Sequence, residues 1–209
     1  MIRAALTMLL MGLAAPAAAG LDEGKAAGAR GDYRAAVREL EPLATAGDMD
    51  AELALAGMYR DARGATKSYE RAALWFRRAA EQGSVEAQYQ LAYIHYAGLV
   101  FPRDTAEMMR WLLAAALRSH CDAEIILGAV LEYGLEDVPV DLVEARKWYD
   151  LASGAVSGAS VVVAPQALAR ISAKMSAAEI AESKRRAQSW RPAVDQGPPH
   201  PVPAPEDRS

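Results

Sequence analysis

Cysteine is almost missing from this chain: Cys121 is the only one, so no intramolecular disulfide can form and stability must come from packing. A free thiol could pair between molecules, although a small buried apolar residue is the plainer role. Basic clusters are missing too. Formal charge is −4, and no run of Lys and Arg could track phosphates, which argues against a nucleic-acid partner. No apolar run approaches the ~20 residues that a membrane-spanning helix requires. Nor is there a nucleophile elbow, HExxH pair, phosphate loop or dinucleotide fingerprint. The three histidines are scattered at His95, His120 and His200, and although His120 could join its neighbour Cys121 on a metal, two adjacent ligands do not make a site. No catalytic residue, metal ligand or cofactor is therefore assigned.

The first nineteen residues form an object of their own. Met1-Ile2-Arg3 is a short positive start, Ala4 to Leu13 an apolar run, and Ala17-Ala18-Ala19 a small-residue cleavage motif. Together they read as a secretory signal peptide, with cleavage expected before Gly20. A soluble periplasmic or secreted protein follows as the expectation. Cys121 lies far from that junction, which excludes lipid attachment at a new N-terminal cysteine.

Beyond the leader, self-similarity dominates. Ala51, Ala87 and Ala123 are spaced by 36, as are Leu55, Leu91 and Leu127, while Trp75 maps to Trp111 at 36 and to Trp148 at 37. The one extra residue falls between Gly134 and Asp141. Three units result, at roughly 51–83, 87–119 and 123–153, and each reads as helix, turn, helix. In the first helices the alanine, the leucine, the small residue after it (Ala56, Ala92, Gly128) and Tyr59, His95 or Leu131 share one stripe. Ser68, Asp104 and Asp141 stand where an N-cap of the second helix accepts orphan amide protons. Within the second helices, Trp75, Trp111 and Trp148 are expected to be the core residues least tolerant of loss.

These residues carry a family resemblance. Leu127-Gly128, Tyr133-Gly134, Val138-Pro139-Val140-Asp141, Ala145-Arg146-Lys147-Trp148-Tyr149 and Ala79-Ala80-Glu81-Gln82-Gly83 resemble the Sel1-like repeat, a tetratricopeptide-related unit, of an exported bacterial type. The resemblance covers most of residues 21–192. Departures occur at Ala62, Val100 and Ser119, which replace turn glycines, and at His95 and Leu131, which replace a tyrosine. The implied fold is all-α, an α/α solenoid with a C-terminal capping helix pair.

The expected layout is a signal peptide at 1–19, an atypical N-terminal helix pair at 20–47, three repeats at 48–153, capping helices at 154–191, and a disordered proline-rich tail at 192–209. Within the cap, Ser153 to Ser160 reads as a Gly/Ser-rich connector, Ala167 to Met175 as a helix, and Ser176 as the N-cap of a last helix over Ala177 to Trp190, with Glu179 completing a capping box. The tail, Pro198-Pro199-His200-Pro201-Val202-Pro203-Ala204-Pro205, cannot form helix.

A surface remains as the candidate site. If Ala51, Leu55 and Tyr59 face inward, the opposite side carries Leu53, Gly57 and Arg60 in the first unit, Tyr89, Tyr93 and Tyr96 in the second, and Ile125, Ala129 and Glu132 in the third. Tyrosines at i, i+4 and i+7 form an adhesive strip, with area plus a polar tip. Packing on a neighbouring helix is the alternative role for the same rings. The binding candidates are Arg60, Tyr89, Tyr93, Tyr96 and Glu132. The resemblance implies a non-enzymatic adaptor for a protein or peptide partner in the bacterial envelope. Two alternatives stand beside it: β-lactam binding or hydrolysis, as in disulfide-rich relatives whose paired cysteines are missing here, and recognition of cell-wall glycan by the tyrosines.

Overall fold

A computed structural model of the protein describes residues 20–154, 158 and 160–192. The expected leader at 1–19 and, from residue 193 on, the expected tail lie outside them. Among the described residues the chain forms ten helices and no strand. A helix over 20–29 (α1) precedes α2 (Tyr33–Thr45), α3 (Met49–Asp61), α4 (Tyr69–Glu81), α5 (Val85–Ala97), α6 (Thr105–Ala116), α7 (Cys121–Tyr133), α8 (Leu142–Ala152), α9 (Ser160–Ser172) and α10 (Ala177–Ser189).

Helix starts follow the capping residues. Side chains of Asp32, Ser68, Asp104 and Asp141 accept from the amides of Ala35, Arg71, Glu107 and Glu144 at 2.9–3.2 Å, so each second helix begins where a short polar side chain satisfies an orphan donor. A second series, at Asp48, Ser84 and His120, caps the first helices in the same way. Ser176 and Glu179 form the expected reciprocal capping box.

The turns inside the three pairs share one hydrogen bond. The amide of the second helix's N-cap residue donates to the carbonyl of the stripe residue in the first: Ser68 to Tyr59 at 3.1 Å, Asp104 to His95 at 3.3 Å and Asp141 to Leu131 at 2.9 Å. The third turn is one residue longer, and Leu135 and Val138 absorb the insertion by pairing with each other, with Glu136 at φ +48° between them. The two helices therefore leave that turn tied by the same bond as in the other pairs.

The chain divides into two compact units, one ending at Ala87 and the other beginning at Gln88. In the first, α2 packs on α3 and α3 on α4, with Leu40, Ala44, Leu55, Tyr59, Phe76 and Ala79 in the core. In the second, α6 packs on α7, α7 on α8, and α8 on both α9 and α10; Trp111, Leu127, Trp148, Tyr149 and Ile171 are buried there. Trp190, the C-cap of α10, meets Trp148 edge-on at 6.4 Å, so the last helix covers the final repeat.

Two expectations are corrected. Trp75 is only half-buried, with Arg78 lying 5.1 Å over its ring, and Phe76 beside it is the buried aromatic of α4. The first capping helix runs Ser160–Ser172 rather than Ala167–Met175. It starts early because Ser160, Ala164, Ala167 and Ile171 form a buried stripe at i, i+4, i+7 and i+11. That burial outweighs the low helix propensity of three successive valines and of Pro165 near the helix start.

Candidate functional site

α5 carries Tyr89, Tyr93 and Tyr96 on one side, because residues at i, i+4 and i+7 of a helix align, with axial steps of about 6 and 4.5 Å. Tyr93 is 51% exposed and Tyr96 47%. Tyr89 is half-buried, its ring stacked on that of His120 at 4.6 Å. Facing them, α7 contributes Ile125, Ile126, Ala129 and Val130, and α6 supplies Met108 and Leu112 beneath. Gly134 and Leu135 of the turn after α7 complete a groove of about 490 Å³. Its surface is apolar, with the tyrosines as aromatic wall. Beside Tyr96, the Arg103 guanidinium lies 4.8 Å over the ring and pairs with Glu136 at 3.2 Å.

The tyrosine strip and the Ile125 and Ala129 face expected from the sequence thus line one groove in the second unit. The other two candidates lie elsewhere. Arg60, in the first unit, is engaged with Asp61 through Nε at 2.7 Å and Nη2 at 3.0 Å, and stands 6.0 Å over the Phe76 ring. Glu132, expected on the exposed face, is instead buried. Its carboxylate accepts from Arg170 at 2.8 and 3.1 Å, from Lys174 at 2.8 Å and from the Tyr149 hydroxyl at 3.1 Å. Burial alone would raise its carboxyl, but these donors outweigh it and hold the pKa at about 2. Tyr96 and Glu132 occupy equivalent repeat positions; Glu132 is covered because α9 packs on α7. The capping helix is therefore pinned to the last repeat by a buried carboxylate.

A buried polar position went unnoticed in the sequence. Glu52, Gln88 and Glu124 are spaced by 36 and all buried, each directly after the invariant-position alanine of a first helix. The Glu52 carboxylate accepts from Gln82 at 2.7 Å and lies 3.6 Å from Arg78. Burial raises its pKa, with Arg78 and Gln82 opposing. Glu124 is pushed up to about 7 by burial, partly offset by the neighbouring His120 ring. The 36-residue register itself was the signal that could have found this series.

The residues around His120 do not assemble a metal centre: among the described residues no group of three or more potential ligands occurs. Nδ1 of His120 accepts from the Ala123 amide at 3.3 Å, so the ring acts as a helix cap and a stacking partner. Burial, reinforced by Glu124 and Asp122, raises the Cys121 thiol above its ordinary value and away from the reactive thiolate. What the groove offers is apolar area, three π-faces and phenolic tips. That combination suits binding a chain segment.

Helix pairs joined by one conserved turn bond and repeated three times place the protein among the α/α solenoids. The sequence model of the Sel1 repeat matches residues 50–84, 85–120 and 121–154, and the chain belongs to the Sel1 repeat family. Among solved structures it is similar to a Sel1 repeat protein from Oxalobacter formigenes, with 26% identity and a TM-score of 0.59 over 62% of this chain and 53% of that one. A protective antigen of uropathogenic Escherichia coli with an SLR fold aligns at 22% identity and a TM-score of 0.48, over 75% of this chain and 40% of that one. Among curated proteins it is similar to the chitin synthase regulator SKT5 of Saccharomyces cerevisiae, 30% identical over 135 residues, or 63% of this chain. The chain spans only 19% of that relative's length. Sel1 repeat proteins typically mediate protein–protein interaction, and their solenoid is generally a non-catalytic scaffold. No helix among the described residues is long and apolar enough to cross a membrane.

Proposed function

We propose that this chain is an exported adaptor of the bacterial envelope that captures an apolar segment of a partner protein in the groove between α5 and α7, and acts by binding rather than by chemistry. The observation carrying the reading is the pair Tyr93 and Tyr96, each about half exposed above an apolar floor formed by Met108 and Leu112. Exposed aromatic rings beside a recess are typical anchors of interface energy. Export rests on the leader pattern at 1–19, with its positive start, apolar run and alanine cleavage motif. A regulatory role finds support in the name of the yeast relative, a regulator.

The test has two arms. In cells carrying the full precursor, the protein should fractionate outside the cytoplasm and begin at Gly20; an intact leader in the cytoplasm would end the export reading. For binding, a photo-crosslinking residue at position 93 should join the purified protein to a partner in an envelope extract. Tyr93→Ala with Tyr96→Ala should cut capture at least tenfold while moving the melting temperature by less than about 3 °C, as expected for surface positions. Equal capture by the double variant would refute the groove as the binding site.

A further inference from the structure

The second helices of the three repeats differ in what lies against their tryptophan. In α6, Glu107 accepts from Arg110 at 2.7 and 3.1 Å and from the Trp111 indole N–H at 3.1 Å, while the Arg110 guanidinium stands 4.1 Å over the ring. In α8, Glu144 pairs with Lys147, whose ammonium stands 4.0 Å over Trp148. Both tryptophans are buried. The same two positions of α4 hold Arg71 and Leu74, so a cation replaces the acid and an apolar chain replaces the cation. Leu74 is 54% exposed, and Trp75 is only half-buried. Among the described residues the Trp75 indole N–H meets no acceptor, and Arg71 has no carboxylate at ion-pair distance.

Arg71 is held in place by a ring. Its guanidinium lies 5.3 Å over Tyr59 and donates from Nη1 to the Tyr59 hydroxyl at 3.2 Å, which leaves the rest of a planar donor fork suited to a carboxylate. Beside it Tyr59, Thr66 and Ser68 line a recess of about 370 Å³. Further along the helix, Arg78 lies 5.1 Å over the Trp75 ring, so two cations flank Leu74 and the indole on one stripe at i, i+3, i+4 and i+7. The segment 60–78 carries six Lys and Arg against two acids, in a chain whose formal charge is −4. Its local field favours an anionic partner. We propose that this stripe of α4 is a second docking surface, for an acidic segment of a partner protein. One carboxylate of the partner binds Arg71 and the Trp75 indole N–H, as Glu107 binds Arg110 and Trp111, and an apolar side chain covers Leu74. The exposed leucine favours a protein over a nucleic-acid backbone, whose phosphates and sugars offer it no apolar side chain. The proposal does not rest on the groove reading, because every residue of the stripe lies in the first unit.

The experiment measures, by fluorescence anisotropy, binding of a fluorescein-labelled peptide made of three Glu-Leu-Glu-Gly repeats to the full chain. Two control peptides carry Gln for every Glu or Ser for every Leu. The acidic, apolar peptide should bind at least tenfold more tightly than either control, and about 0.5 M sodium chloride should weaken it at least fivefold. Arg71→Glu with Leu74→Arg rebuilds the pair found in α6; it should reduce binding at least tenfold while moving the melting temperature by less than about 3 °C. Arg71→Gln, at an exposed position, should lose at least fivefold by itself. Undiminished binding by these variants, equal binding of the glutamine peptide, or no binding of the acidic peptide would overturn the proposal. So would tighter binding of a single-stranded oligonucleotide or of phosphatidylglycerol vesicles that the double variant abolishes, because the stripe would then belong to a nucleic acid or a membrane. Tyr93→Ala with Tyr96→Ala should bind the peptide as the native protein does, so the groove and the stripe fail separately.

Discussion

A Cβ built on Gly128 would lie 2.7 Å from Cε1 of Tyr149 and 2.8 Å from Cδ1, so α7 and α8 approach as closely as they do only because residue 128 has no side chain. The Tyr149 ring cannot retreat freely, because its hydroxyl donates to the buried Glu132 carboxylate at 3.1 Å. Gly128→Ala should therefore destabilise the second unit by about 1–2 kcal/mol, overpacking outweighing the gain in helix propensity. The preceding repeat has Ala92 and Leu112 at the equivalent positions, both buried. Adding Tyr149→Leu to Gly128→Ala should recover part of the loss, as a favourable coupling of at least about 0.5 kcal/mol in a double-mutant cycle read by thermal melting. Additive losses would show that the two positions do not exclude each other.

Glu132 should make the protein acid-sensitive. Its folded pKa of about 2 lies below the ordinary carboxyl value of 4.5, so its stabilising contribution is complete above the unfolded value and disappears as pH falls toward 2. Melting temperatures of the native protein should drop steadily below about pH 4.5, and those of Glu132→Gln should drop less over the same range. Removing both cationic partners, Arg170→Ala with Lys174→Ala, strands a buried carboxylate and should cost about 3 kcal/mol near neutral pH. Parallel pH profiles for the native protein and Glu132→Gln would contradict this account.

Glu124 has the opposite sign. Burial raises its carboxyl from 4.5 to about 7, so the folded state holds the proton more tightly than the unfolded chain. Its contribution is fully present below pH 4.5 and is lost as pH rises through 7. Glu124→Gln reproduces the residue found at the equivalent position, Gln88, and should raise stability at pH 8 by about 1–2 kcal/mol with little effect at pH 4.5. A variant equally stable at both values relative to the native protein would show that the carboxyl titrates normally.

Ser119 occupies the place held by Gly47 and Gly83 in the earlier units, and it adopts the same left-handed backbone, at φ +64° against +93° and +98°. A residue with a Cβ pays for that conformation whereas glycine does not. Ser119→Gly should accordingly stabilise by about 0.5–1 kcal/mol and raise the melting temperature by roughly 2–4 °C. A decrease would mean that the serine side chain contributes more than the backbone strain removes.

The repeat, its helix boundaries and the caps of its second helices were legible in the residues because each is a local property. Apolar spacing sets the buried face of a helix, a short polar side chain fixes its start, and a shift of 36 exposes the copies whatever their surroundings. The longer third turn was also legible, since one added residue moves Trp148 out of register by one. Burial of particular residues was not legible to the same degree. Trp75 and Phe76 are neighbours of similar size, and which one enters the core depends on what the helix meets.

The sequence by itself determined an all-α solenoid of three helix pairs and placed three tyrosines in line on α5, because helical periodicity alone aligns residues 89, 93 and 96. Tertiary structure decided that this line faces Ile126 and Val130 across a groove, and that Glu132, at the position equivalent to Tyr96, is sealed beneath α9 by Arg170 and Lys174. Equivalent positions in a repeat share a direction, but their exposure depends on the next element of the chain. The last repeat is covered by a capping helix of different sequence, and there burial and ion pairing take over the face that the middle repeat leaves half open.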